Sequence, residues 1–504
     1  MKILDCTIRD GGYYNNWDFS NEIIDSYITY TNNLPIDYIE IGYRTPKKNE
    51  YFGKYFYMPN YLLDELREKS NKKFAIMLNV KDIELSSLDY LLSPCIGKVD
   101  MIRMAVDPQS FKKAIEISIE IKKLGFEVAF NIMYMGKWVY DEGFYSKLKG
   151  IENFVDYLYM VDSYGSVYPD GVKYAIRKIK EITTVKLGFH GHNNLELAFI
   201  NSIEAKNNQI DIIDCTITGM GRGAGNLKTE LFLSYLYDNK EFDYNDLADL
   251  VQEFENLKEK YNWGTNLPYM ISGFNSIPQK KIMDMFTENF LDLASITNII
   301  KNDNLNFNNN LKPFTFNEKF DTVIIIGGGK KVLDILSEIK HLIKNNSNTA
   351  LIFSSTRFLN EFTNLSIKKY VSLIGVDARR AFNESNKFDN TQFITFESKM
   401  NVNTLITKNI IDNSFELKDL ISDQIPLTTT NLSFSLANKL TESTIYICGY
   451  DGYTESSIGE KEQKLIDNND SIFKTVNELH KNKFKFLYPT KYNFLSTESI
   501  YSLI

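Results

Sequence analysis

Short apolar runs return at near-even spacing through the first part of the chain. They are "KILDCT" at 2–7, "DYIEIGY" at 37–43, "KFAIMLNV" at 73–80 and "VDMIRMAV" at 99–106. "FEVAFNIMY" at 126–134, "DYLYMVD" at 156–162, "VKLGFH" at 185–190 and "IDIIDCTI" at 210–217 follow. Each has the length and residue types of a β-strand. Between them the period changes. In "DPQSFKKAIEISIEIKKLG", from Asp107 to Gly125, apolar residues recur at three and four, the stripe of an amphipathic helix. Strands alternating with helices predict a parallel sheet. Eight such units between residues 2 and 217 suit a closed (β/α)8 barrel better than an open doubly wound sheet.

Residues 236–300 read as trailing helices with a turn around "WGTNLPYMISG". The polar, Asn-rich "KNDNLNFNNNLKPF" then marks a linker at 301–318. "FDTVIIIGGGKKVLDILSEIKHLI" restarts the strand–turn–helix pattern, and further strands are predicted at "TALIFSS", "YVSLIGV", "QFITF" and "TIYICGY". The expected organisation is a barrel over 1–300, a linker over 301–318 and a Rossmann-like α/β domain over 319–504.

In a (β/α)8 barrel the chemistry gathers at the C-terminal ends of the strands. Arg9 and Asp10 fall just after the first strand, Glu40 in the second and Asn131 in the fifth. Asp162 and Ser163 end the sixth, His190 and His192 end the seventh, and "GMGRGAGN" follows the eighth. Residues i and i+2 of a strand share a face, so the two imidazoles can grip one ion. Asp10 adds a hard oxygen and Asn226 an amide oxygen. That donor set suits octahedral Mn2+ or Mg2+, with Zn2+ as the other option. The glycines at 219, 221, 223 and 225 lack the Lys and Ser/Thr of a phosphate loop, so backbone freedom is the simpler reason for them.

Composition narrows the function class. The 504 residues exceed a single core, and the net charge of −8 disfavours nucleic acid and anionic membranes as partners. It leaves room for an anionic small substrate at a local positive site. The four cysteines, Cys6, Cys95, Cys215 and Cys448, are scattered without CxxC spacing, so neither a zinc knuckle nor a disulfide scaffold is expected. No apolar run reaches membrane-spanning length, and "MKILDCTIRD" does not read as a signal peptide. A cytoplasmic location is expected.

"LDCTIRDGG", "EIGY", "MVDSYG", "FHGHNN" and "GMGRGAGNLKTE" stand in the order seen in the HMG-CoA lyase-like superfamily of metal-dependent TIM barrels. The resemblance spans about residues 1–290 and is strongest to the 4-hydroxy-2-oxovalerate aldolase branch. It implies Asp10, His190 and His192 as metal ligands, with Asn226 as a fourth. It implies Arg9 as the group that stabilises an enolate oxygen, Glu40 as the residue orienting Arg9, and Ser163 as a hydrogen-bonding partner of a pyruvate-type carboxylate; Asn131 joins it as a substrate-binding candidate. The aldolases usually place a histidine soon after the Arg-Asp pair; here the chain reads "GGYYNNWDF". Tyr13, Tyr14 or a metal-bound water is left as the candidate base, or the two tyrosines simply wall the pocket. The activity implied is a divalent-metal-dependent aldolase joining or splitting a 2-oxo acid and an aldehyde, with a sugar-derived aldehyde among the candidates. A Claisen-type acyltransferase using acyl-CoA, or a catalytically reduced barrel serving as a scaffold, are the alternatives.

"VIIIGGGKK" lacks the third spaced glycine of a dinucleotide fingerprint. "TTTNLSFSLANKLTESTIYICGYDGYT" and "YPTKYNFLSTESIY" loosely resemble the family of 6-hydroxymethylpterin diphosphokinase and the motility accessory factors. That resemblance implies a nucleotide or nucleotide-sugar partner with Asp451 near its phosphates, or a domain used for oligomerisation. A homo-oligomer is expected.

Overall fold

The computed structural model describes residues 1–237, 242–288, 297, 300, 311–375, 388–397, 404, 406, 410–453 and 460–504. Two compact units result, Met1–Asn289 and Phe290–Ile504.

The first unit is a closed barrel of eight parallel strands. They are β1 Lys2–Asp5, β2 Tyr38–Tyr43, β3 Lys73–Asn79, β4 Met101–Val106, β5 Glu127–Ile132, β6 Tyr157–Asp162, β7 Lys186–Gly191 and β8 Ile212–Cys215. Closure comes from β1 lying beside β8, with Lys2 opposite Ile212 and Asp5 opposite Cys215. Strands buried on both faces explain why the sequence shows apolar runs rather than strict alternation. The helices follow ordinary end signals. Ser20 caps Asn21–Asn33 through the Ile23 N–H, and Pro169 opens Pro169–Ile182. The helix read from Asp107 begins later, at Phe111, because Asp107 is extended ahead of Pro108 and caps a short turn instead.

The barrel interior changes character along its axis. Its lower part is apolar, with Tyr38, Met101, Ala129 and Ile212. Two residues further along the same strands stand Glu40, Arg103, Asn131 and Asp214, all buried. The period of two thus carries these four onto the inner face toward the C-terminal mouth, while Lys2 and Glu127 close the other end through the Tyr38 and Tyr157 hydroxyls. At the end of β1, Asp5 accepts from Tyr27 Oη at 2.7 Å, Thr229 Oγ1 at 2.6 Å and the Thr7 N–H at 3.0 Å.

The second unit holds nine parallel strands: β9 Lys312–Pro313, β10 Thr322–Ile326, β11 Thr349–Phe353, β12 Lys368–Ser372, β13 Thr391–Phe396, β14 Ser414–Leu417, β15 Ile445–Cys448, β16 Phe484–Phe486 and β17 Ser496–Thr497. Their order is β17-β16-β15-β10-β11-β12-β13-β14-β9. Val323 and Ile325 enter one apolar layer, Ile324 and Ile326 the other. Helix Thr429–Leu440 covers the first face and Leu336–Asn345 the second. This is an open doubly wound sheet. The linker reading ran through residue 318, but Lys312 and Pro313 pair with β14, and Phe314 and Phe316 pack on the adjoining layer. Residues 301–310 lie outside the described residues. All four cysteines are free and buried, three in the barrel and one in the second sheet. No helix among the described residues is long and apolar enough to cross a membrane.

Asp5→Ala removes one carboxylate and orphans three buried donors. A loss of about 2–4 kcal/mol in barrel stability is expected. Urea unfolding followed by circular dichroism measures it, and a loss below 1 kcal/mol would show that the three donors find other partners.

Candidate active site

The mouth of the barrel opens into a cavity of about 700 Å3. Arg9, Tyr13, Tyr43, Asn131, Ser163, His190, His192 and Arg222 are among its lining residues. The Arg-Asp pair that follows β1 sits on one helical turn, Thr7–Gly11, with both side chains buried.

A chain of alternating charges runs beneath the cavity. Arg9 Nη1 donates to Asp10 Oδ1 at 2.5 Å, and Arg9 Nε donates to Glu40 Oε2 at 2.7 Å. The same Glu40 oxygen accepts from Arg103 Nη1 at 2.8 Å. Arg103 Nη2 donates to Asp214 Oδ2 at 2.5 Å, and that oxygen lies 2.9 Å from His190 Nδ1. A carboxylate behind Nδ1 fixes the proton there and turns the Nε2 lone pair toward the cavity. Burial opposes the charged form of His190, but hydrogen bonds and charge from Asp10 and Asp214 outweigh it and raise its pKa. Burial likewise opposes ionised Asp10, yet Arg9, then His190, hold its pKa well below the usual carboxylate range.

Asp10, His190 and His192 present ligand atoms within 4.8 Å of one another. The two imidazole rings are 5.1 Å apart. Asn226 donates from Nδ2 to Asp10 Oδ2 at 2.6 Å, while its buried Oδ1 has no hydrogen-bond partner. An orphaned amide oxygen beside a carboxylate and two imidazoles fits a hard divalent cation. His192 Nδ1 lies 3.0 Å from the Ser163 carbonyl and 2.9 Å from Gln279 Nε2, contacts that demand opposite tautomers. The carbonyl can only accept, so the tautomer that frees Nε2 for a metal carries its proton on Nδ1. Burial, then the neighbouring His190, lowers the His192 pKa to about 3, which keeps the ring neutral. A second trio, Cys6, His190 and Asp214, also comes within ligand range. Its carboxylate is engaged by Arg103, and burial raises the Cys6 thiol well above its ordinary pKa, so it makes a poor metal site.

The glycine loop after β8 owes its shape to close approaches. A Cβ on Gly225 would stand 2.2 Å from the Gly219 carbonyl oxygen, and one on Gly221 would strike the Asn226 amide at 2.4 Å. The loop is tied down from several sides. Trp263 Nε1 donates to the Thr218 carbonyl at 3.2 Å, and Gln279 Oε1 accepts from the Ala224 N–H at 2.9 Å.

The remaining candidates divide. Ser163 Oγ accepts from the Tyr134 N–H at 2.9 Å, and Asn131 Oδ1 is buried without a partner. Tyr13 lines the cavity and its Oη lies 3.0 Å from Tyr43 Oη. Tyr14 instead donates to the Gly223 carbonyl at 3.3 Å and packs on Tyr261 and Trp263, which makes it a brace for the loop. Asp451, in the second unit, accepts from the Lys331 N–H at 2.9 Å and from Tyr488 Oη at 2.5 Å. Its two oxygens thus tie the end of β15 to the turn after β10 and to the segment after β16.

Four participants escaped the sequence reading. Arg103 had a signal, a lone charge inside "VDMIRMAV", and Asp214 had the same in "IDIIDCTI". Arg222 stood in view among the glycines. Gln279 had none, because its role depends on trailing helices returning to the mouth.

Comparison with known proteins identifies relatives of the barrel. The HMGL-like family model matches residues 100–256. An oxaloacetate decarboxylase from Mycobacterium tuberculosis is 27% identical over 46% of this chain and 69% of its own length. A 4-hydroxy-2-oxovalerate aldolase from Carboxydothermus hydrogenoformans is 30% identical over 47% of this chain and 70% of its own. Among solved structures, the N-terminal domain of a "putative aldolase" from Bacteroides vulgatus is 54% identical with a TM-score of 0.55, covering 57% of this chain and 98% of that domain. Barrel, site and relatives place this chain in the HMGL-like family.

Proposed function

We propose that the chain is a divalent-metal-dependent carbon–carbon lyase that works through the enolate of a 2-oxo acid, with an aldehyde as the partner in the aldol step. The observation that carries this reading is the cluster of Asp10, His190 and His192, with the free Asn226 oxygen, beside the Arg9 guanidinium. Those four residues would hold Mn2+ or Mg2+. Such an ion, when bound, supplies a Lewis acid that polarises the keto oxygen and offsets charge building there.

The protein's own groups do the rest. Arg9 is gripped at Nε by Glu40 and at Nη1 by Asp10, which leaves Nη2 free of protein partners. A guanidinium held on two sides keeps its third edge aimed, so it meets the developing enolate oxygen without reorganising. Ser163 and Asn131 offer neutral donors to the substrate carboxylate from the opposite wall. Tyr13, on the cavity surface, is the candidate to move the proton at the methyl carbon; Tyr14 has its hydroxyl on Gly223 and is the weaker choice. An enolate is also the common intermediate expected for breaking a carbon–carbon bond next to a 2-oxo group, whether the other product is an aldehyde or carbon dioxide. The named aldolases and decarboxylase among the relatives support that class.

The barrel is proposed to carry this chemistry alone, with the second unit serving another ligand, of nucleotide or nucleotide-sugar type. Its sheet reverses winding direction between β10 and β15, and ligands of doubly wound sheets favour such a point.

With Mn2+ present, the protein should exchange the methyl protons of pyruvate in deuterium oxide, as read by proton NMR. Asp10→Ala and His192→Ala should each lower Mn2+ affinity at least about tenfold, the smaller end of what even an indirect ligand partner costs. Unchanged affinity in both would remove these residues from the metal site.

Arg9→Lys should keep the metal but lose on the order of 10²–10³ in exchange turnover, since lysine retains charge without the planar fork. Near-normal turnover would take Arg9 out of the mechanism.

A fragment comprising residues 1–300 should fold, bind Mn2+ and exchange pyruvate at a rate within about threefold of the full chain, the reserve expected when no active-site contact is lost. A folded, metal-loaded fragment without exchange would assign part of the active site to the second unit.

A further inference from the structure

Three guanidiniums lie in or beneath the cavity, and their partners differ. Arg9 and Arg103 are each bound to two carboxylates. Among the described residues Arg222 forms no ion pair and donates no hydrogen bond, and its Nε is sealed from solvent without a partner. Its only described neighbour of note is the face of Tyr13, 4.3 Å from the guanidinium carbon. A ring face steadies a cation but supplies no acceptor for its N–H groups. Arg222 is only partly buried, so its terminal N–H groups face the cavity, where an anion can reach them, while the sealed Nε adds the cost of an unmet donor.

We propose that Arg222 is the residue that binds the carboxylate of the 2-oxo acid and so sets the preference for a charged substrate. This rests on the enolate reading above and extends it to a residue for which that reading supplies no role. Three observations carry it.

First, Arg222 lines the same cavity as Arg9, His190 and His192. Second, its backbone is fixed. The neighbouring Gly223 carbonyl accepts from the Gly264 N–H at 3.0 Å and from Tyr14 Oη at 3.3 Å, while Ala224 is held by Gln279. A planar fork on a pinned loop matches carboxylate geometry at small entropic cost.

Third, of the three guanidiniums Arg222 alone has no carboxylate partner among the described residues, so its fork is open to the carboxylate of a bound 2-oxo acid while Arg9 is held beside the enolate position by Asp10 and Glu40.

The experiment uses the full-length chain loaded with Mn2+. Pyruvate deuterium exchange is measured against pyruvate concentration for the wild type, Arg222→Lys and Arg222→Met. The KM for pyruvate should rise about 10- to 100-fold in Arg222→Met, the range for one charge-assisted contact, with a much smaller change in kcat. Arg222→Lys should fall between. Added guanidinium chloride at millimolar concentration should recover part of the loss in Arg222→Met and none in Arg222→Lys. Methyl pyruvate, which lacks the charge, should be handled alike by wild type and Arg222→Met. An unchanged KM for pyruvate overturns the proposal, and so does a defect that appears only when an anionic aldehyde is added, which would assign Arg222 to the acceptor.

Binding of oxamate to the Mn2+-loaded proteins, followed by calorimetry, is independent of turnover. If the wild type exchanges no pyruvate, the enolate reading fails and oxamate still decides the role of Arg222. Weaker oxamate binding in both variants supports carboxylate recognition, and equal binding overturns it.

Discussion

The site hangs on one run of buried charges: Arg9, Glu40, Arg103, Asp214 and His190, each touching the next. None of these groups would be tolerated alone in the barrel interior, where an unpaired ion costs several kcal/mol. Together they neutralise one another and fix two atoms that matter, the free edge of Arg9 and the Nε2 lone pair of His190. Four strand ends contribute, β2, β4, β7 and β8, plus the turn after β1. The barrel must therefore close correctly before either atom is aimed. This ties the geometry of the candidate site to folding more tightly than any single contact could.

That dependence sets the buried ion pairs above a layer filled by Tyr38, Met101, Ala129 and Ile212. Packing of that layer, with Lys2 and Glu127 bonded to the Tyr38 hydroxyl below it, anchors the strands in register. The upper layer spends the register so gained on placing charges.

How much was legible follows from range. The eight barrel strands are local patterns, and each shows in the sequence within a few residues of its observed span. In the second unit, β9, β14, β16 and β17 passed unread, since runs of two to four residues are too short to carry a periodic signal. Asp10, His190, His192 and Asn226 were readable because the spacing of the histidines and the order of motifs are one-dimensional facts. Glu40 was readable only as a companion of Arg9; its second partner, Arg103, is 63 residues away. The aromatic pair Tyr13–Tyr14 shows the limit well. Adjacent in sequence and alike in chemistry, the two diverge because one faces the cavity and the other the loop held by Trp263.

The buried thiols have a use that has nothing to do with catalysis. Cys6, Cys95 and Cys215 sit in the barrel and Cys448 at the end of β15, all without disulfide partners. Burial raises the pKa of each. Thiolate is the reactive form, so alkylating reagents reach none of them until the surrounding structure opens. The native chain thus carries its own clock for local opening. Rates of modification at Cys448 report on the second sheet, and those at Cys6, just after β1, and Cys215, at the end of β8, report on the seam where the barrel closes.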